Sequence, residues 1–149
     1  MITIDHPSSA FDLTTISRSG LSRFLNRARA SVGLAGEVDV LLTSDAEIKR
    51  LNKAFRNKNK PTDILSFPAS TEAEGLAGDL AISLETAARQ AAEHRHTLRD
   101  ELRILLLHGL LHLAGEDHET DSGQMAARET ALRKQLRLRT TLIERAGAR

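Results

Sequence analysis

The sequence predicts an α+β fold: one domain, residues 1–149, in which a small mixed β-sheet packs against helices. Three observations predict it. Short alternating or β-branched runs are spread over the first half of the chain and end near residue 83, whereas stretches with helical periodicity dominate the second half. The most apolar stretch, Ile104–Gly115, has helical spacing but is too short and too rich in histidine to span a bilayer, so it reads as a buried central helix. A hydrophobic content of 40% and a charged content of 28% over 149 residues suit a soluble domain with a sizeable core.

The elements follow in order. Met1–Ile4 is a short first strand. From about Thr15 to Val32, leucines, Ile16 and Phe24 recur at helical intervals, until the Gly33–Gly36 segment ends the pattern. Glu37–Thr43 alternates as a strand does. Ser44 or Asp45 then caps a helix with apolar positions Ile48, Leu51 and Phe55. Beyond the turn-rich Arg56–Pro61, Thr62–Phe67 is a strand that Pro68 ends. Gly75–Ser83 is another strand and Glu85–His94 an alanine-rich helix. Thr97 caps the long apolar helix, and Gly115 suits a left-handed position at its end. Asp117–Glu144 reads as a last amphipathic helix with Met125, Leu132, Leu136 and Ile143 inward. This order admits parallel as well as antiparallel strands.

Composition excludes several functions. With no cysteine, disulfides and thiolate metal sites are out, and any metal must use His, Asp or Glu. A net charge of +1 neither demands nor forbids an anionic partner. Four Phe with no Tyr or Trp leave few platforms for base stacking. The N-terminal segment lacks a basic start followed by an apolar run, so no secretory signal is expected, and a cytoplasmic location follows by elimination.

The chemistry concentrates in HGLLHLAGEDH, residues 108–118. Its histidines and glycine have the ligand spacing of the long zinc-protease signature HExxHxxGxxH, but Gly109 stands where that signature has its glutamate. His108 and His112, four apart, share a helix face. Gly115 lets the chain turn back so that His118 supplies a third nitrogen. Three imidazoles leave a tetrahedral Zn²⁺ one open position, the arrangement of a catalytic site, and a water there has its pKa lowered to about 7. Histidines facing a polar pocket are the simpler alternative, and imidazole also suits Ni, Cu and Fe. Other candidates carry less. Met125 reads as core; His94 and His96, two apart, as solvated; His6 as isolated; Glu101 as a surface ion-pair partner rather than an orienter of a ligand; Asp117 as the cap of the last helix.

From Arg50 to Lys60 the chain carries five basic residues and no acid. Such a run is usually a solvated face, but an arginine near a metal binds phosphate in bidentate fashion and stabilises transition-state charge. Lys53, Arg56, Lys58 and Lys60 are the expected phosphate contacts, whereas Arg128, Arg133, Lys134, Arg137 and Arg139 read as an outer solvated face.

LNKAFRNKNKPTDILSFP, then GDLAIS, then HTLRDELRILLLHGLLHLAGEDH together resemble the YbeY family of rRNA-maturation endoribonucleases, over most of residues 51–118. The resemblance implies a zincin-like α+β fold with one zinc per chain on His108, His112 and His118, and places the family's arginine at Arg56. It implies cleavage of single-stranded RNA, processing of the 3′ end of small-subunit (16S) rRNA, and ribosome quality control. Small-subunit ribosomal proteins and an assembly GTPase are the implied partners, with no membrane. Glu116 and Phe55 stand where the family has tyrosine, and Asn57 where glycine is frequent, which touches substrate contacts rather than ligands. The attacking group is either zinc-bound water or a metal-activated 2′-hydroxyl, with Arg56 stabilising the phosphate. Two other readings are a non-catalytic ribosome-assembly factor with a structural metal site and a peptidase-like metal hydrolase; Gly109 argues against the latter.

Overall fold

Four strands form one mixed sheet in the order β1 (Ile2–Ile4), β2 (Glu37–Thr43), β4 (Leu76–Ser83) and β3 (Ile64–Pro68). β1, β2 and β4 run parallel, and β3 is antiparallel to β4. The computed structural model describes residues 1–6, 16–56, 62–69, 75–117 and 120–147, without the side chains of Arg56 and of residues 145–147. The predicted α+β class with a mixed sheet is what the chain adopts.

Alternation along the strands sorts the sheet into two faces. Val40, Leu42, Leu80 and Ile82 enter the main core with α1 (Arg18–Val32) and α4 (Leu98–Leu113). Leu65 and Ala81 face the other way and meet Ile48 of α2 (Asp45–Arg56), with Leu41, Leu51 and Phe67 around them. α4 is buried on nearly every side, packed against α1, β3, β4, α3 (Leu84–Glu93), α5 (Gln124–Leu136) and α6 (Leu142–Gly147). That position explains a sequence apolar all round rather than along one stripe. No helix among the described residues is long and apolar enough to cross a membrane.

The structure corrects several local expectations. The first helix starts at Arg18, because the Ser17 hydroxyl accepts from the Gly20 amide at 3.1 Å and caps it there. Thr15 lies outside the described residues. Pro68 closes β3 from inside rather than ending the strand before it. Phe55 does not enter the core: it is 68% exposed, with its ring edge-on to Phe67 at 5.5 Å. The predicted last helix is two. Gly123 and Asp121 open α5, Asp121 accepting from the Gly123 and Met125 amides at 2.9 Å each, so Asp121 does the capping expected of Asp117. Arg137, at φ 60°, then ends α5 and lets α6 fold back on α4 and α5. His6 is not isolated: its buried ring reaches Glu85 at 3.3 Å. Neither is His96 solvated nor Glu101 on the surface; both side chains are buried, with Nε2 and Oε1 2.6 Å apart. Arg128 reaches Glu116 at 2.7 Å and the Val32 carbonyl, and Arg133 and Arg139 approach Glu144 and Asp100 at 3.6 Å, so these three basic residues tie elements together rather than only facing solvent.

The starts of α2 and α3 are welded by one carboxylate. Asp45 accepts from the Thr86 hydroxyl at 2.6 Å, from the Ser83 hydroxyl and from the Arg89 guanidinium at 3.1 Å, while Glu85 accepts from the Asp45 amide at 3.1 Å. Burial pushes the Asp45 carboxyl up, but these donors outweigh it and hold it below the ordinary aspartate value. A depressed folded value means that the stabilisation is present above the unfolded pKa and is lost as pH falls through the folded one. Asp45→Asn should therefore lower stability at neutral pH, and the gap from the parent protein should close as pH drops below about 4 in urea unfolding at stepped pH.

Candidate active site

α4 fixes the first half of the site. His108 and His112 lie one turn apart, and their Nε2 atoms face each other at 3.1 Å with the rings 76° apart. Two nitrogens each about 2.0–2.1 Å from a tetrahedral zinc stand about 3.3 Å apart. The observed pair is thus close to one edge of such a tetrahedron.

α5 fixes the second half. Glu129 is buried, and its Oε2 lies 2.9 Å from His108 Nδ1. An ionised carboxylate there accepts the Nδ1 proton, so Nε2 is the ring nitrogen that His108 turns to His112 and would present to a metal. The second oxygen, Oε1, accepts from the Ile143 amide of α6 at 3.2 Å. Burial pushes Glu129 up, but the His108 hydrogen bond and charge, the Ile143 amide and the Thr141 hydroxyl outweigh it and hold the carboxyl below its ordinary value. Carboxylates that receive the distal N–H of a histidine in this way are the usual supports of metal-binding imidazoles.

The pair opens into a cleft of about 620 Å³. Thr62, Ile64, Ser66 and Pro68 line it together with Gly115, Glu116, Asp117 and Leu142. Asp63 sits at its end, fastened by the Ile64 amide at 2.8 Å and by Gln90 at 3.4 Å. No set of three His, Cys, Asp or Glu side chains with metal-holding geometry gathers among the described residues. His118, the third expected ligand, lies outside them, as do the Arg56 side chain, Lys58 and Lys60. Arg56 itself is the last residue of α2, which packs on β3, the strand lining the cleft.

The sequence model described as endoribonuclease YbeY matches residues 4–137. The chain belongs to the YbeY endoribonuclease family. The protein named endoribonuclease YbeY from Koribacter versatilis is 53% identical over 133 residues, 89% of this chain and 86% of that one. Its namesake from Solibacter usitatus is 50% identical over 131 residues, 88% and 87% of the two chains. The solution structure of TM1509 from Thermotoga maritima superposes with a TM-score of 0.59 at 29% identity, covering 91% of this chain and 89% of that one.

Within this YbeY-family chain, the place of the absent glutamate has a physical explanation. Gly109 points away from the cleft into the sheet: a Cβ there would stand 2.7 Å from Ile64 Cδ1 and 2.8 Å from Leu80 Cδ2. The glycine lets α4 lie close on β3 and β4, and a carboxylate at 109 would be driven into the core. Glu129 is the functional residue that sequence reasoning missed. Its signal was present: Met125, Glu129, Leu132 and Leu136 form the buried stripe of α5, so an acid occupies a core position. An acid in such a register requires a buried partner, and that partner is His108. Gly109→Glu should lower stability by at least about 3 kcal/mol in urea unfolding, from overpacking and a buried charge. Gly109→Ala, whose methyl meets only movable side-chain tips, should stay within about 1 kcal/mol of the parent.

Proposed function

We propose that this chain is a zinc-dependent endoribonuclease that cuts single-stranded RNA and matures the 3′ end of small-subunit rRNA. The observation that carries the reading is the His108–His112 pair, Nε2 to Nε2 at 3.1 Å, with His108 held by Glu129 at the floor of an open cleft. Membership of the YbeY family supplies the reaction class.

The residues fit a zinc ion. Glu129 sets the tautomer that leaves His108 Nε2 unprotonated, and His112 turns its Nε2 to the same point. His108, His112 and His118 would hold the ion. Bound there, zinc supplies Lewis-acid stabilisation of charge on a phosphodiester or on the attacking oxygen. Arg56 supplies the second positive charge and holds the phosphate by its planar fork. Asp63 and Asp117 also line the cleft, so those two positive charges would offset the repulsion that an entering phosphate meets there. Small-subunit ribosomal proteins and an assembly GTPase are the proposed neighbours of this reaction, and the cytoplasm its proposed place.

The test is cleavage of a single-stranded oligoribonucleotide by purified protein of known zinc content. Chelation and His112→Ala should each abolish it, and Arg56→Ala should lower kcat by at least about 100-fold with zinc retained, the size of effect seen when one charge-stabilising donor is removed. Zinc-replete protein that leaves the RNA intact would defeat the proposal. Glu129→Gln should weaken zinc binding by about 10- to 100-fold in calorimetry, because the amide no longer dictates the His108 tautomer.

A further inference from the structure

The free edge of β3 runs along the same cleft as the histidine pair. The register of β3 on β4 decides which backbone groups point there. Asp63 accepts from the Ser83 amide and Ala69 donates to the Ala77 carbonyl, so the odd-numbered positions 63 to 69 bond to β4. In an antiparallel ladder the alternate residues turn both backbone groups outward. These are Ile64, Ser66 and Pro68, all of which line the cleft with His108 and His112. Among the described residues no strand covers that side of β3. The Ile64 amide is taken up by Asp63 at 2.8 Å, and Pro68 has no amide. Among the described residues of β3, Ser66 therefore offers the one outward N–H that neither Asp63 nor a proline removes, flanked by the carbonyls of Ile64, Ser66 and Pro68.

We propose that this edge is the seat of the RNA substrate beside the scissile bond, with nucleobases and 2′-hydroxyls hydrogen-bonded to it. The inference rests on the nuclease reading above and adds the substrate's binding mode. Three arguments carry it. Whatever lies on the edge shares the cleft with the histidines, so a partner protein seated there would exclude the substrate. Outward groups repeat about every 6.8 Å along a strand, well beyond the about 3.4 Å rise of stacked nucleotides, so the edge suits an unstacked, extended strand. Asp63 and Asp117 in the lining repel phosphates, so bases and riboses turn to the edge, and only the scissile phosphate, drawn by the histidine site, lies within the cleft. A paired base has spent the donors and acceptors that the edge needs, which makes the edge itself selective for unpaired RNA.

Ser66→Pro removes the outward amide at a position the sheet does not use. It should raise KM for a single-stranded oligoribonucleotide about tenfold, as loss of one hydrogen bond in a closed site implies, with kcat little changed. Ser66→Ala keeps the amide and should raise KM clearly less than Ser66→Pro does. A second measurement leaves the edge unaltered: amide hydrogen exchange of the non-cleaving His112→Ala protein with and without a saturating, unmodified single-stranded oligoribonucleotide. Ser66 should exchange quickly alone and slow at least about tenfold in the complex. A folded Ser66→Pro protein with the parent KM, or a Ser66 amide untouched by bound RNA, would overturn the proposal. So would slowing by a cationic peptide and not by RNA, which would mark the edge as a protein-docking strand. If RNA is cleaved and bound while Ser66 stays unprotected, only this inference fails; if zinc-replete protein does not cleave RNA, the nuclease reading fails first.

Discussion

A buried carboxylate on α5 and a buried imidazole on α4 hold this structure and its site together in one contact. Glu129 costs desolvation energy wherever it is placed in the core, and three groups offset it: His108 of α4, the Ile143 amide at the start of α6, and Thr141 just before that helix. The same contact fixes the orientation of α5 across α4, the return of α6, and the tautomer of His108. Removing either partner leaves a charged or polar group buried alone, which is far more destabilising than never having placed it there.

The rest of the architecture serves α4. A helix apolar on every side must be enclosed, and the sheet, α1, α3, α5 and α6 enclose it. Gly109 permits the closest approach, to β3 and β4, while His108 and His112 emerge on the side that the cleft leaves open. Glu101, buried near the start of the same helix, is likewise paired, with His96 at 2.6 Å. The two histidine rings thus stand on a closely packed helix, and preorganisation of this kind is what the proposed charge stabilisation at a phosphate would require.

On the proposed reading, the histidines and the outer edge of β3, which no strand among the described residues covers, would join two kinds of recognition in one cleft. Side chains supply charge and potential ligands; the backbone of β3 supplies neutral donors and acceptors at a fixed spacing. The few aromatic residues of the chain fit that division, since Phe55 and Phe67 lie against each other beyond the cleft lining rather than in it. Recognition here has to come from hydrogen-bonding groups and shape more than from stacking.

Much of the fold was legible because its signals are local. Strand alternation at Glu37–Thr43, the Thr97 cap, the glycine at 115 and the four-residue step from His108 to His112 each follow from neighbouring residues, and each is where the sequence places it. The split of the last helix at Arg137 was not legible, because no proline or glycine marks it; the turn exists to bring α6 back onto α4 and α5. The burial of His96 with Glu101 and of Glu129 with His108 was hidden for a related reason: local polarity reads as exposure, and only a distant partner makes burial tolerable. By itself the sequence determined the class of fold, the histidine pair and the family, all of which rest on short-range spacing. Tertiary packing alone decided which carboxylate supports the histidine and which strand edge faces it, since both depend on elements that meet only after the chain has folded.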